Sequence, residues 1–234
     1  MEKIVTLLWK PEDVSVQQFA DTLLGSVAEQ LQNQNIRGLK MCVRDSDTEA
    51  GDALAMTVTD LPKAAMVSYW VDMAQARSPS EEILQQCSTS LQSFLVIEST
   101  PIINSLHPTQ MGQRTSGFSQ ITCVKARDDL AYDEFLNIWH NEHMACAIET
   151  QSTFQYIRNE IVRPLTGQAP PWTAIVEEGF PSGAMSNPEV FYDAVGDQAK
   201  FKANMERMMT TVSKFLDLET IDVSAMSEYV FDQL

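Results

Sequence analysis

Short apolar runs alternate along this chain with stretches whose apolar positions recur every three or four residues, so strands and helices interleave. Lys3–Trp9 is a short, partly β-branched run and reads as a buried strand. Ser15 and Gln18 form a Ser-x-x-Gln capping box, opening a helix whose stripe is Phe19, Leu23, Leu24, Val27 and Leu31. Ile36–Val43 and Ala65–Asp72 read as strands. Ser80 with Glu81 and Glu82 opens a second helix carrying Ile83, Leu84, Cys87 and Leu91, and Leu95–Glu98 is the strand after it. Leu54–Thr59 also reads as extended, an extra edge or hairpin strand.

The order then repeats. Phe118–Lys125 is a strand, Tyr132–Thr150 a helix, Phe154–Val162 and Thr173–Glu177 strands, Pro188–Phe215 mostly helix, and Ile221–Phe231 the closing strand. Phe19 and Phe135 head matching helices 116 residues apart, and Phe94-Leu95-Val96-Ile97-Glu98-Ser99 matches Phe215-Leu216-Asp217-Leu218-Glu219-Thr220 at a spacing of 121. The pattern predicts an α+β fold of two tandem ferredoxin-like β-α-β-β-α-β units, residues 1–104 and 118–234. Residues 105–117, with Pro108 and Gly112, are the linker. Each unit alone leaves one sheet face bare, so the two are expected to pack sheet to sheet as an intrachain α/β-barrel pseudo-dimer.

Charge narrows the partners. The 234 residues carry 16 Lys and Arg against 32 Asp and Glu, a formal net charge of −16. Such a polyanion is repelled by phosphate backbones and anionic lipid, so neither nucleic acid nor a membrane surface is an expected partner. No apolar stretch approaches the ~20 residues of a membrane helix, and Ile4–Trp9 is too short for a signal-peptide core. Cys42, Cys87, Cys123 and Cys146 form no Cys-x-x-Cys pair, and a cytoplasmic protein with reduced thiols is expected. Asp45, Asp47, Glu49 and Asp52 read as a solvated acidic loop, and Met205, Met208 and Met209 as an adaptable core face.

One helix departs from its sibling. Phe135, Trp139 and His143 fall at i, i+4 and i+8 on one stripe, where the first copy has Phe19, Leu23 and Val27. A histidine in an apolar stripe is either a satisfied structural residue or an acid–base group beside a cavity. His140 and His143, with Glu142 between them, also invite a metal reading, but the i, i+3 spacing and the direction of His140 disfavour it, and no metal is expected.

The run Leu130-Ala131-Tyr132-Asp133-Glu134-Phe135-Leu136-Asn137-Ile138-Trp139-His140-Asn141-Glu142-His143 resembles the EthD family signature, a helix opening on Glu-Phe and continuing into Trp-x-x-x-His. Phe154-Gln155-Tyr156-Ile157-Arg158-Asn159 is similar to the family's Tyr-x-x-Asn strand. Two positions depart from it: Met144-Ala145 stands where a proline often follows the histidine, and Ala131 replaces the capping Ser or Thr. The resemblance implies the dimeric α/β-barrel superfamily, whose members include cyclases, lactone isomerases and cofactor-free oxygenases. It implies His143 and Tyr156 as catalytic residues and Phe135, Trp139 and Asn159 as substrate-binding ones. The expectation is a cofactor-independent enzyme of isomerase, cyclase or dehydratase type acting on an apolar cyclic or aromatic molecule, with His143 as acid/base. The alternative is a non-catalytic binding or stress-related barrel. Haem binding, which related barrels show, has little support in these residues. A homodimer formed through outer sheet edges is also expected.

Overall fold

The computed structural model describes residues 1–167 and 169–232. Its eight strands are β1 (Glu2–Trp9), β2 (Arg37–Val43), β3 (Ala65–Val71), β4 (Ser90–Ile102), β5 (Phe118–Val124), β6 (Gln155–Pro164), β7 (Ala174–Phe180) and β8 (Asp222–Val230). All neighbours pair antiparallel, and the strands close into one barrel in the order β1-β3-β2-β8-β5-β7-β6-β4. The first four strands follow the order β4-β1-β3-β2 and the last four β8-β5-β7-β6, the same order twice. Registers recur as well. Ile4, Thr6 and Leu8 face Tyr69, Val67 and Ala65, while Gln120, Thr122 and Val124 face Glu178, Val176 and Ala174.

Two seams, β2 with β8 and β4 with β6, hydrogen-bond the sheets edge to edge. This corrects the expected sheet-to-sheet stacking: the sheets face each other across an interior but are continuous around it. Closure gives every strand a neighbour on both sides, so a second copy finds no sheet edge to pair with.

The helices are α1 (Val16–Thr22), α2 (Ala28–Gln32), α3 (Ser78–Cys87), α4 (Tyr132–Asn137), α5 (Met144–Thr150), α6 (Pro188–Phe191) and α7 (Gln198–Phe215). A π-helical stretch, Leu23–Val27, joins α1 to α2, and another, Ile138–His143, joins α4 to α5. At the spacing of 116 these two stretches coincide. The capping box at Ser15 and Gln18 is formed in both directions, whereas no side chain caps α4 at Ala131.

Three expectations fail because of partners distant in sequence. Leu91 belongs to β4, not to α3, and β4 runs 13 residues because β6 pairs with its far half. Residues 54–59 form no strand; a 3-10 helix, Ser46–Leu54, precedes a single bridge from Met56 to Val223. Asp45 is buried, not solvated, because it accepts from the Asp47 backbone N–H, the Ser227 hydroxyl and the Tyr229 hydroxyl.

Alternation along each strand sorts the core into layers. Val5, Leu7, Ile121, Cys123, Ile175 and Met226 point into the barrel. Ile4, Leu8, Phe19, Leu23 and Val27 fill the helix–sheet layer of the first half. Val124, Phe135, Trp139, Tyr156 and Phe215 fill that of the second. All four cysteines are free thiols.

One end of the interior is charged. Lys3 and Lys40, from the first half, meet Glu177 and Glu228, from the second. Asn159 donates to the Glu177 carboxylate at 2.9 Å and accepts from Lys3 at 2.8 Å. Burial alone would raise the Glu177 carboxyl, but Lys40 and Lys3 hold it down to about 2. The Lys40 ammonium is held well above its usual range, the two glutamates outweighing its burial. Cys42, Glu177 and Glu228 bring ligand-type atoms within 4.8 Å of one another, but around an ammonium already in place.

Glu177→Ala leaves Lys40 and Lys3 short of a buried partner and should cost about 3–5 kcal/mol at neutral pH. Its folded-state pKa lies below the unfolded one, so this contribution is present above about pH 4.5 and fades as pH falls toward 2. Urea unfolding checks both; a loss under about 1 kcal/mol at pH 7 contradicts the network's role.

Candidate active site

The second half's helix–sheet layer is not filled. A cavity of about 130 Å³ lies between β5, β6, β7 and α7, with His143, Trp139, Tyr156 and Glu178 on its wall and Val176 and Phe215 among its apolar lining. An apolar cavity of about 150 Å³ takes a benzene-sized ring, so this one holds a single ring. In the first half the positions of Glu178, Trp139 and His143 are taken by Tyr69, Leu23 and Val27, all buried in continuous core.

His143 sits at the end of the π-helical stretch and is 8% exposed. Its Nδ1 lies 3.0 Å from the Thr211 hydroxyl, and its ring packs on Phe215 with centroids 5.0 Å apart. The Thr211 hydroxyl donates its proton to the Met208 carbonyl at 2.9 Å, so toward His143 it accepts. The hydrogen-bond network therefore places the imidazole proton on Nδ1 and leaves the Nε2 lone pair for a ligand. Burial pushes the imidazole down to about 4, so it is neutral at pH 7.

Glu178 is the residue that the motif did not point to. It faces Gln120 on β5 and Tyr156 on β6, and it is 8% exposed. Burial raises its carboxyl to about 7, opposed only slightly by a long hydrogen bond from the Gln120 amide at 3.4 Å. The preceding residue, Glu177, is on the opposite face in the charged interior. A signal was present in the sequence: Ala174-Ile175-Val176-Glu177-Glu178-Gly179-Phe180 puts two adjacent carboxylates in a buried strand, and alternation sends one to each face.

Tyr156 accepts a hydrogen bond from the Trp139 indole N–H at 3.2 Å, which leaves its own proton for a ligand oxygen. Burial raises its hydroxyl above the usual range, keeping it a donor. Two further polar atoms in the wall, Thr122 Oγ1 and Gln151 Oε1, make no hydrogen bond. Phe135 stands behind the wall, packed on Trp139 and Phe215, and shapes the site only through them.

Asn159 does not join these residues. It faces the barrel interior with Lys3 and Glu177, which corrects its expected substrate-binding role; Tyr156 and Asn159 are three apart on a strand and so lie on opposite faces. His140 and His143 do not converge either. His140 Nε2 lies 3.3 Å from Glu160 Oε1, away from Thr211. A haem held by His143 does not fit, because the hollow beside it is ring-sized, not porphyrin-sized. Of Met205, Met208 and Met209, only Met208 is core; the other two are exposed.

No family model and no curated protein sequence matches the chain. Solved structures do. An anthrone oxidase-like protein aligns with a TM-score of 0.54 at 9% identity, covering 99% of this chain and 94% of that one. A candidate chlorite dismutase aligns at 0.51 and 12% identity, covering 99% and 96%. A candidate monooxygenase from Lactobacillus acidophilus aligns at 0.49 and 9%, covering 100% and 97%. At these identities the first two show a shared fold, the α+β barrel described above, and no more. No helix among the described residues is long and apolar enough to cross a membrane.

Glu178 holds its proton more tightly in the fold than in the unfolded chain. Its stabilising contribution is therefore complete below about pH 4.5 and is lost as pH rises through about 7. The stability of wild type relative to Glu178→Gln should fall by about 3 kcal/mol between pH 4.5 and 8, read by denaturant titration. A difference that stays flat across that range contradicts the burial of an unpaired carboxyl.

Proposed function

We propose that this chain is a cofactor-independent enzyme that moves a proton on a ring-sized, largely apolar molecule bearing a carbonyl or enol oxygen. One observation carries the reading: a carboxyl that burial raises to about 7 and an imidazole that burial keeps neutral share one ring-sized hollow. General bases work best when their pKa lies near the working pH, and that favours Glu178 over His143 as the proton carrier. Glu178 takes a proton from the carbon beside the carbonyl. The Tyr156 hydroxyl donates to the oxygen as it becomes an enolate, and the proton returns at another carbon. His143 Nε2 accepts a hydrogen bond from a ligand hydroxyl, and Trp139 walls the ring. The net change is an isomerisation or a step of a cyclisation.

The EthD-like signature over Leu130–His143 supports the same site, as does its location in the second half. We also assign residues 1–104 and 118–234 as two copies of one unit, an intrachain pseudo-dimer; repeated strand order, register and π-helical stretches support it. The ring-sized hollow lies in the second copy. A second reading, binding without turnover, draws on the immobilised His143 ring, held by Thr211 and Phe215.

Cyclohexanone in D₂O tests the proposal. Wild type should speed exchange of the ring protons beside the carbonyl, with a half-maximum near pH 7. Glu178→Gln should lower that rate by about 100-fold or more. Cyclohexanone that binds but exchanges no faster than in buffer favours the second reading; equal rates in wild type and Glu178→Gln remove Glu178 from the chemistry.

A further inference from the structure

The ring-sized cavity is the inner part of a longer depression. Beside it runs a groove of about 620 Å³, and Gln120, Gln151, Val212 and Val223 line both spaces. The groove's walls come from both halves of the chain. Ala50, Ala53, Leu54 and Met56 belong to the first, and Met185 and Met209 to the second. Apolar residues dominate it, although Leu54, Met56 and Met209 are each more than a third exposed to solvent. Methionine walls adapt to a flexible chain better than to one fixed shape.

The first-half wall is held firmly against the second half. Met56 and Val223 exchange both backbone hydrogen bonds, at 3.1 and 2.8 Å, and the Val58 N–H donates to Asp222 at 3.1 Å. Arg114 pairs with Asp47 at 3.3 Å, and Ser227 donates to the buried Asp45 at 2.9 Å. Gly51 permits the closest approach. A Cβ placed there would sit 2.5 Å from Ala225 Cβ, too close for any side chain without moving the segment off β8.

We infer that residues 46–56 are a specificity wall lent by the first half to the second half's site, and that the groove takes an unbranched apolar chain carried on the ring in the inner cavity. The substrate class is thus a ring ketone or enol bearing an alkyl or acyl tail. This rests on the reading of the inner cavity as the reacting site. The shared lining residues mark where ring and tail join.

Calorimetry with cyclohexanone and its 4-methyl to 4-hexyl derivatives tests the inference. Affinity should rise about two- to fourfold per added methylene, the upper figure being that for full burial. Gly51→Val, which displaces the wall, should flatten this dependence while leaving cyclohexanone binding within about twofold. Met56→Asp and Met209→Asp change half-exposed side chains, keep the fold and should flatten it too. Cyclohexanone binding with no chain-length dependence in wild type overturns the groove's role and spares the inner site. No binding of cyclohexanone, with none by its derivatives, removes both. Sedimentation showing a dimer that Met209→Asp dissociates would assign the groove to a second copy and overturn the inference.

Discussion

Period-two alternation in a closed barrel is the constraint on which the rest depends. Every strand has an inner and an outer face, and on β7 both are buried, so neighbouring residues enter different environments. Glu177 and Glu178 show the consequence. The first points inward to two ammonium groups and an amide and is held down to about 2. The second points outward into the helix–sheet layer, makes no ion pair there among the described residues, and is raised to about 7 by burial. One peptide bond separates a structural anion from a titratable acid.

Closure makes this possible. The lysines of the inner cluster come from β1 and β2, and the glutamates from β7 and β8. Lys3 also pairs with Glu98 of its own half, but Lys40, Glu177 and Glu228 find their ion-pair partners across the two halves, so the cluster rewards the joined barrel. With the interior sealed, the helix–sheet layers are free to diverge. In the first half, Ile4, Tyr69, Leu23 and Val27 pack the layer solid. In the second, Gln120, Glu178, Trp139 and His143 leave a hollow. The same strand register and the same π-helical interruption support both outcomes. π-helical stretches often accompany functional sites, and here one ends on the imidazole.

Much of this was legible in the sequence. The element order, the Ser15 capping box and the stripe of Phe135, Trp139 and His143 follow from local periodicity and capping chemistry, which act over a few residues. What failed depends on distant partners. The length of β4 is set by β6, and the fate of residues 45–56 by Asp45 and Gly51 docking on β8. Asn159 was tied to Tyr156 by motif, yet strand geometry puts the two on opposite faces. Glu178 was visible as half of an adjacent pair, but its environment follows only from knowing that both faces of β7 are covered. His143 lines the cavity, and its burial keeps the imidazole neutral, pushed down to about 4.

The central claim is that a carboxyl beside a ring-sized hollow titrates near neutrality. ¹³C NMR of side-chain carboxyl carbons, with Glu178 identified by the resonance lost in Glu178→Gln, measures it directly. The account predicts a midpoint near pH 7 that moves when cyclohexanone is added. A midpoint near 4.5, unmoved by the ring, would contradict it.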